Sequence, residues 1–90
     1  MTSRRSVEIC NQRGLHARAS AAFSRLAQTF SSDITVTRAG MTVDARSIMD
    51  LLSLGASKGL EIEIEAKGGD ADEAVQALSE LVEQRFGEEI

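Results

Sequence analysis

Leu60-Glu61-Ile62-Glu63-Ile64-Glu65-Ala66 alternates apolar and acidic side chains without a break. Successive side chains of an extended chain point to opposite faces, so Leu60, Ile62, Ile64 and Ala66 line one side and three carboxylates the other. Such a strand is satisfied in a sheet with one face covered and one face wet. Downstream, Gly68-Gly69 turns the chain and Asp70-Ala71-Asp72-Glu73 reads as a helix cap. The apolar stripe Ala71, Ala74, Val75, Leu78, Leu81 and Val82 then predicts a last helix ending near Gly87. Upstream, Ser47-Ile48-Met49-Asp50 has the capping-box arrangement, and Gly55 stops the short helix it opens. Before that, Ile34 and Val36 alternate with Thr35 and Thr37, Ala39-Gly40 is a turn, and Met41-Thr42-Val43 resumes as the second arm of a hairpin. Ser6-Val7-Glu8-Ile9-Cys10 alternates as a first strand. From Ala17 to about Phe30, the residues Ala19, Ala22, Phe23, Leu26 and Phe30 recur at helical spacing. The order is βαββαβα. Because each strand has one apolar side and each helix one apolar stripe, the expected fold is α+β: an open-faced sandwich, a four-stranded antiparallel sheet with three helices on one face.

The chain has 90 residues, 42% of them hydrophobic and 27% charged, and no proline. That is the composition of one compact domain, expected to span residues 1–90, with neither repeat nor linker. One cysteine, Cys10, and one histidine, His16, can make neither an internal disulfide nor a structural zinc site, so no metal or other cofactor is expected. No apolar run reads as a signal peptide or membrane span, which makes a cytoplasmic protein the expectation. The net charge of -4 conceals an asymmetry: residues 1–50 carry seven basic against four acidic side chains, and residues 51–90 three against ten. The overall acidity, with Phe23, Phe30 and Phe86 the only aromatics, argues against a nucleic-acid partner.

His16 is the sharpest candidate for chemistry. It sits at a helix start, where the N–H groups of Ala17, Arg18 and the next residues lack intrahelical partners and the helix dipole is positive. Such a place attracts anions, and Arg13 and Arg18 flank it, so a phosphoryl group on the ring would find backbone donors and a guanidinium. The same field disfavours a second positive charge, so the ring is expected to titrate below free histidine and stay neutral and nucleophilic. The plainer reading is a surface histidine tolerated at a helix end. Ser47 reads first as an N-cap worth about 1 kcal/mol, and alternatively as a phosphorylation site that Asp50 would oppose. Ile48, Met49, Leu51, Leu52 and Leu54 crowd a short helix; most are expected in the core, and any left outside would form a docking patch. Cys10 reads as a buried, inert thiol, and Arg46 and Lys58 as solvated charges or rim contacts.

Gly14-Leu15-His16-Ala17-Arg18 resembles the active-site segment of HPr, the histidine phosphocarrier of the bacterial phosphoenolpyruvate-dependent phosphotransferase system. Ala45-Arg46-Ser47-Ile48-Met49, followed by Leu52-Ser53-Leu54-Gly55-Ala56, resembles that family's seryl-site segment, and the element order agrees over nearly all of residues 4 to 87. The resemblance implies a carrier, not an enzyme: His16 would take a phosphoryl group from phosphorylated enzyme I, by likeness on Nδ1, and pass it to a histidine of an enzyme IIA domain. Arg18 would be its charge partner, with the Ala17 and Arg18 amides holding the phosphate. Arg13, Ala19, Ile48, Met49 and Leu52 would face partners, and Ser47 would be the target of an HPr kinase/phosphorylase. The phosphoryl group would originate from phosphoenolpyruvate, with magnesium required by enzyme I rather than by this chain, and the carrier would act as a monomer. Two positions depart from the family pattern: Ala19 stands where proline is usual and Asp50 where glycine is usual. The alternative is a regulatory binding module of a nitrogen- or carbon-sensing branch, whose phosphorylation gates contacts with target proteins.

Overall fold

In the computed structural model, which describes residues 1–90, the strands are β1 (Thr2–Glu8), β2 (Asp33–Arg38), β3 (Met41–Asp44) and β4 (Glu61–Lys67). The helices are α1 (Ala17–Ala27), α2 (Ile48–Ser53) and α3 (Ala71–Glu83), followed by a 3-10 turn at Arg85–Gly87. All strand pairs are antiparallel, in the order β1-β4-β2-β3. The alternating strand β4 is therefore central, as its apolar face requires. Its register sets Ile64 between Arg5 and Val36, and Ile62 opposite Val7. On the wet face, Glu65 lies between Arg4 and Thr35, and Arg4 donates to its carboxylate at 2.5 Å. The expected α+β open sheet with three helices is thus the fold observed.

The core is one cluster of 20 buried residues. Val7, Ile34, Val36, Ile62, Ile64 and Ala66 supply the sheet side, and Ala71, Ala74, Val75, Leu78 and Val82 supply α3, which lies over β1 and β4. α1 contacts both other helices, and α2 meets the β3 edge.

Several boundaries differ from the sequence reading, each for a local reason. β1 runs over Thr2–Glu8, not Ser6–Cys10, because the β4 ladder pairs the polar residues Thr2 to Ser6 that alternation cannot flag. α1 stops at Ala27; Thr29 and Phe30 close onto Leu26 and Ala27 by tighter bonds of 3.0 and 3.3 Å. α3 stops at Glu83, because Arg85 and Phe86 take left-handed φ values of 58° and 55° and reverse the chain. The buried face of α1 is Ala19, Ser20, Phe23, Ser24 and Ala27, while Ala22 and Leu26 are half-buried. Both serines are satisfied, Ser20 Oγ donating to Leu15 O at 3.1 Å and Ser24 Oγ to Arg46 O at 2.9 Å. Arg46 is an internal tie rather than a rim charge: its Nη2 donates to Phe30 O and Ser32 O at 3.2 and 3.0 Å.

Asp70 holds the N-cap position of α3, but its side chain does not cap the helix. Its carboxylate instead accepts from Ser31 N at 2.8 Å, Ser32 N at 3.0 Å and the Ser32 hydroxyl, joining α3 to the turn before β2. These bonds, the Ser32 hydroxyl first and the Ser31 amide next, lower its pKa from 3.8 to about 2. A carboxyl depressed by folding contributes stability that is present above the unfolded pKa and lost as pH falls through the folded one. The expected result is that the stability gap between the parent and Asp70→Asn, measured by denaturant titration, is constant above about pH 5 and narrows between pH 3.8 and about 2. A gap unchanged over that window would mean that the carboxylate bonds carry no stability.

Candidate functional site

The loop between β1 and α1 brings His16 to the surface. Gly14 adopts φ 67°, and a Cβ built there would stand 2.7 Å from Ala56 O and 2.9 Å from Ser57 Cα. Only glycine lets the two backbones approach closely enough for Leu15 N to bond Ala56 O at 2.9 Å. The left-handed conformation alone costs about 1–2 kcal/mol for a residue with a Cβ, and the clash adds to it. Gly14→Ala is therefore expected to lower stability by more than that strain alone and to free the Leu15 amide for hydrogen exchange. Gly55→Ala, with φ 61° and open space around it, should cost only the strain. Equal losses in the two variants would contradict the close-approach argument.

His16 is the N-cap residue of α1, in extended conformation, and its ring makes no capping bond. The first helical bond is Ser20 N to His16 O at 2.8 Å, so the amides of Ala17, Arg18 and Ala19 lack helical acceptors. The side chain is 20% exposed, and its Nε2 lies 2.5 Å from Glu88 Oε2. The other carboxylate oxygen, Oε1, accepts from Asn11 Nδ2 at 2.9 Å, and the same Nδ2 donates to Gly14 O at 2.8 Å. Asn11 is fully buried. The Gln12 amide bonds to Ile90 O, so the chain after α3 is fastened to the loop at a second point. The Glu88 pKa is lowered from 4.5, chiefly by the Asn11 amide, then by the His16 hydrogen bond, with smaller help from the charges of His16 and Arg13. Glu88 is accordingly an ionised acceptor, and the ring nitrogen facing it must be the donor. Nδ1 makes no hydrogen bond to the protein. Glu88 thus sets a negative charge beside the ring that a reading of the helix start by itself does not include.

Arg13 and Arg18 are exposed, beside the loop and in the first turn of α1. Ala19 is 0% exposed, which removes its side chain from the docking set. α1 starts without a proline at that position, and the small side chain packs inward. In α2, Leu51 and Leu54 are buried and Leu52 is half-buried, while Ile48 and Met49 are 40% and 75% exposed. Fewer of these residues are core than expected, because a helix of 6 residues turns only one narrow stripe inward. Ser47 Oγ accepts from Asp50 N at 3.2 Å, but the Ser47 amide bonds Asp44 O instead of the Asp50 side chain, so half of the capping box forms. Cys10 is half-buried with its Sγ directed at Val82 O and Glu83 O. No group of three or more His, Cys, Asp and Glu side chains is placed to hold a metal ion.

The sequence reading missed Asn11 and Glu88. The available signals were slight: an asparagine three residues before a loop glycine, and an acid directly after Gly87 where the last helix had to stop.

An open sheet under three helices, with one histidine presented at a helix start between two arginines, is the layout of a small phosphoryl-carrier domain. The chain belongs to the HPr family: residues 3–84 match the model described as the PTS HPr component phosphorylation site. It is 46% identical over 85 residues to the phosphocarrier protein HPr of Neisseria meningitidis, covering 94% of this chain and 96% of that one. The phosphocarrier protein NPr of Shewanella violacea is 40% identical over 84 residues, 93% of this chain and 92% of that one. Among solved structures, HPr-C-His from Thermoanaerobacter tengcongensis superimposes with a TM-score of 0.93 at 44% identity, covering 98% of this chain and 99% of that chain. No helix is long and apolar enough to cross a membrane.

Proposed function

We propose that His16 accepts a phosphoryl group from phosphorylated enzyme I and passes it to a histidine of an enzyme IIA domain. The observation that carries this reading is the ring itself: partly exposed, hydrogen-bonded through Nε2, and unpartnered at Nδ1. The free nitrogen is the nucleophile. Its lone pair forms a bond to phosphorus as the donor's nitrogen–phosphorus bond breaks and keeps its electron pair. The unpaired amides at the start of α1, with Arg18 and Arg13, would hold the transferred oxygens, and because they are fixed by the fold they need no reorganisation during transfer. A carrier must also release its load, and a site at the surface leaves the phosphorus open to the next nucleophile. No residue from a second copy is needed, since Asn11, His16 and Glu88 come from one chain, which favours a working monomer.

Ile48 and Met49, exposed on α2, with Leu52 and Arg13, would dock enzyme I and IIA domains. Phosphorylation of Ser47 by an HPr kinase/phosphorylase would place negative charge at that patch and weaken docking. The Asp50 carboxylate would oppose that modification by like charge, while its amide, which donates to Ser47 Oγ, would favour it. No observation at the site favours the regulatory-module alternative over transfer.

The test is transfer itself. With enzyme I, magnesium and labelled phosphoenolpyruvate, the protein should acquire an acid-labile label and lose it on addition of a IIA domain. A protein that is never labelled, or that keeps its label in the presence of IIA domains of both the sugar and the nitrogen branch, would overturn the relay.

A further inference from the structure

Gly14, Asn11, Glu88 and His16 form a chain of hydrogen bonds whose direction is fixed at one end by a backbone carbonyl. The Gly14 oxygen can only accept, so the Asn11 atom facing it at 2.8 Å must be the NH2 group. The same nitrogen then presents its second hydrogen to Glu88 Oε1 at 2.9 Å. The remaining oxygen, Oε2, faces the ring at 2.5 Å and can only accept. A hydrogen therefore sits on Nε2, and whenever the ring is neutral Nδ1 keeps its lone pair. The last link reaches the site because Arg85 and Phe86 adopt left-handed φ and Ile90 O is tied to the Gln12 amide.

We infer that Glu88 is a positioning residue which, oriented by Asn11, selects the His16 tautomer and so commits Nδ1 to receive the phosphoryl group. The inference rests on His16 being the acceptor. When Nδ1 forms its bond to phosphorus, the Nε2 hydrogen stays where it is and the ring acquires positive charge, which the Glu88 carboxylate faces directly. The phosphoryl oxygens would lie at Nδ1, on the side of the ring away from Glu88.

The chain of bonds makes an unusual demand of an almost isosteric variant. In Glu88→Gln, Asn11 still presents NH2, so the new amide must turn its oxygen to Asn11 and its own NH2 to the ring. Nε2 is then forced to accept, the hydrogen moves to Nδ1, and the nucleophile is lost. Glu88→Ala removes the partner and leaves the ring free to choose. The expected order of phosphoryl acceptance is therefore parent, then Ala, then Gln. The Gln variant should be slower than the parent by about tenfold or more, as expected for a wrongly held imidazole tautomer. A residue that only supports the fold would give the reverse order, since Gln preserves shape better than Ala.

Ring nitrogen NMR of the parent, recorded at a pH where His16 is neutral, reads the tautomer without any transfer reaction. It separates failure of this inference from failure of the relay. Hydrogen on Nε2 in the parent and on Nδ1 in Glu88→Gln supports the inference. Hydrogen on Nδ1 in the parent, hydrogen retained on Nε2 in the Gln variant, or a Gln variant as fast as the Ala variant overturns it.

Discussion

His16→Ala takes up no phosphoryl label from enzyme I and phosphoenolpyruvate, while Ser47→Ala is labelled as fully as the parent. The loss is complete rather than partial because the sequence holds one histidine, so no second imidazole can substitute. The fold should survive the change. The ring makes no capping bond to α1, and the first helical bond uses the His16 carbonyl, which alanine retains. Thermal unfolding of the variant should therefore stay close to that of the parent, with a modest loss from the broken contact to Glu88. Label persisting in His16→Ala would remove the site assignment at once. Label absent from both variants would indict docking or the donor instead.

Phe23→Ala is the substitution expected to damage the fold most. Phe23 is 0% exposed and heads the residues fully enclosed by the core, on the helix that begins at His16. Truncating a buried phenylalanine costs about 3–5 kcal/mol, from lost apolar burial and from the cavity left behind. Stability of a domain this size is about 5–13 kcal/mol, so the variant keeps only a fraction of its margin. A fall of about 12 °C or more in Tm follows from the usual relation for small domains. Phe30→Ala, at a half-buried position beyond the end of α1, should cost clearly less. Equal costs at the two sites would mean that the core closes over the Phe23 gap, contrary to its close packing.

The sheet was legible because β4 alternates so cleanly: Ile62, Ile64 and Ala66 are buried, and Glu61, Glu63 and Glu65, which alternate with them, lie on the wet face. The helix that carries His16 was legible from its apolar period, though the period misplaced its inner face. Ser20 and Ser24 are buried because each finds a carbonyl, and no hydrophobicity pattern reports such a partner. The same blindness hid Asp70, which looks like a cap and instead binds Ser31 and Ser32. The placement of His16 and Arg18 at the start of α1 could be read from the sequence, since a helix start is a local feature. Glu88 could not, because it meets His16 across 72 positions of chain and returns through left-handed Arg85 and Phe86, whose side chains do not announce that conformation.

The strand order has a consequence for how the chain is made. β4 separates β1 from β2, so during synthesis the first strand waits without a neighbour while the β2–β3 hairpin can already zip. Closure requires bringing together segments far apart along the polymer, a step that slows folding. The ribosome must therefore deliver Glu61–Lys67 before β1 can join a sheet, and α3 after that before the apolar side is roofed. Until then the nascent polypeptide presents an unsheltered greasy surface, which is a natural foothold for a chaperone.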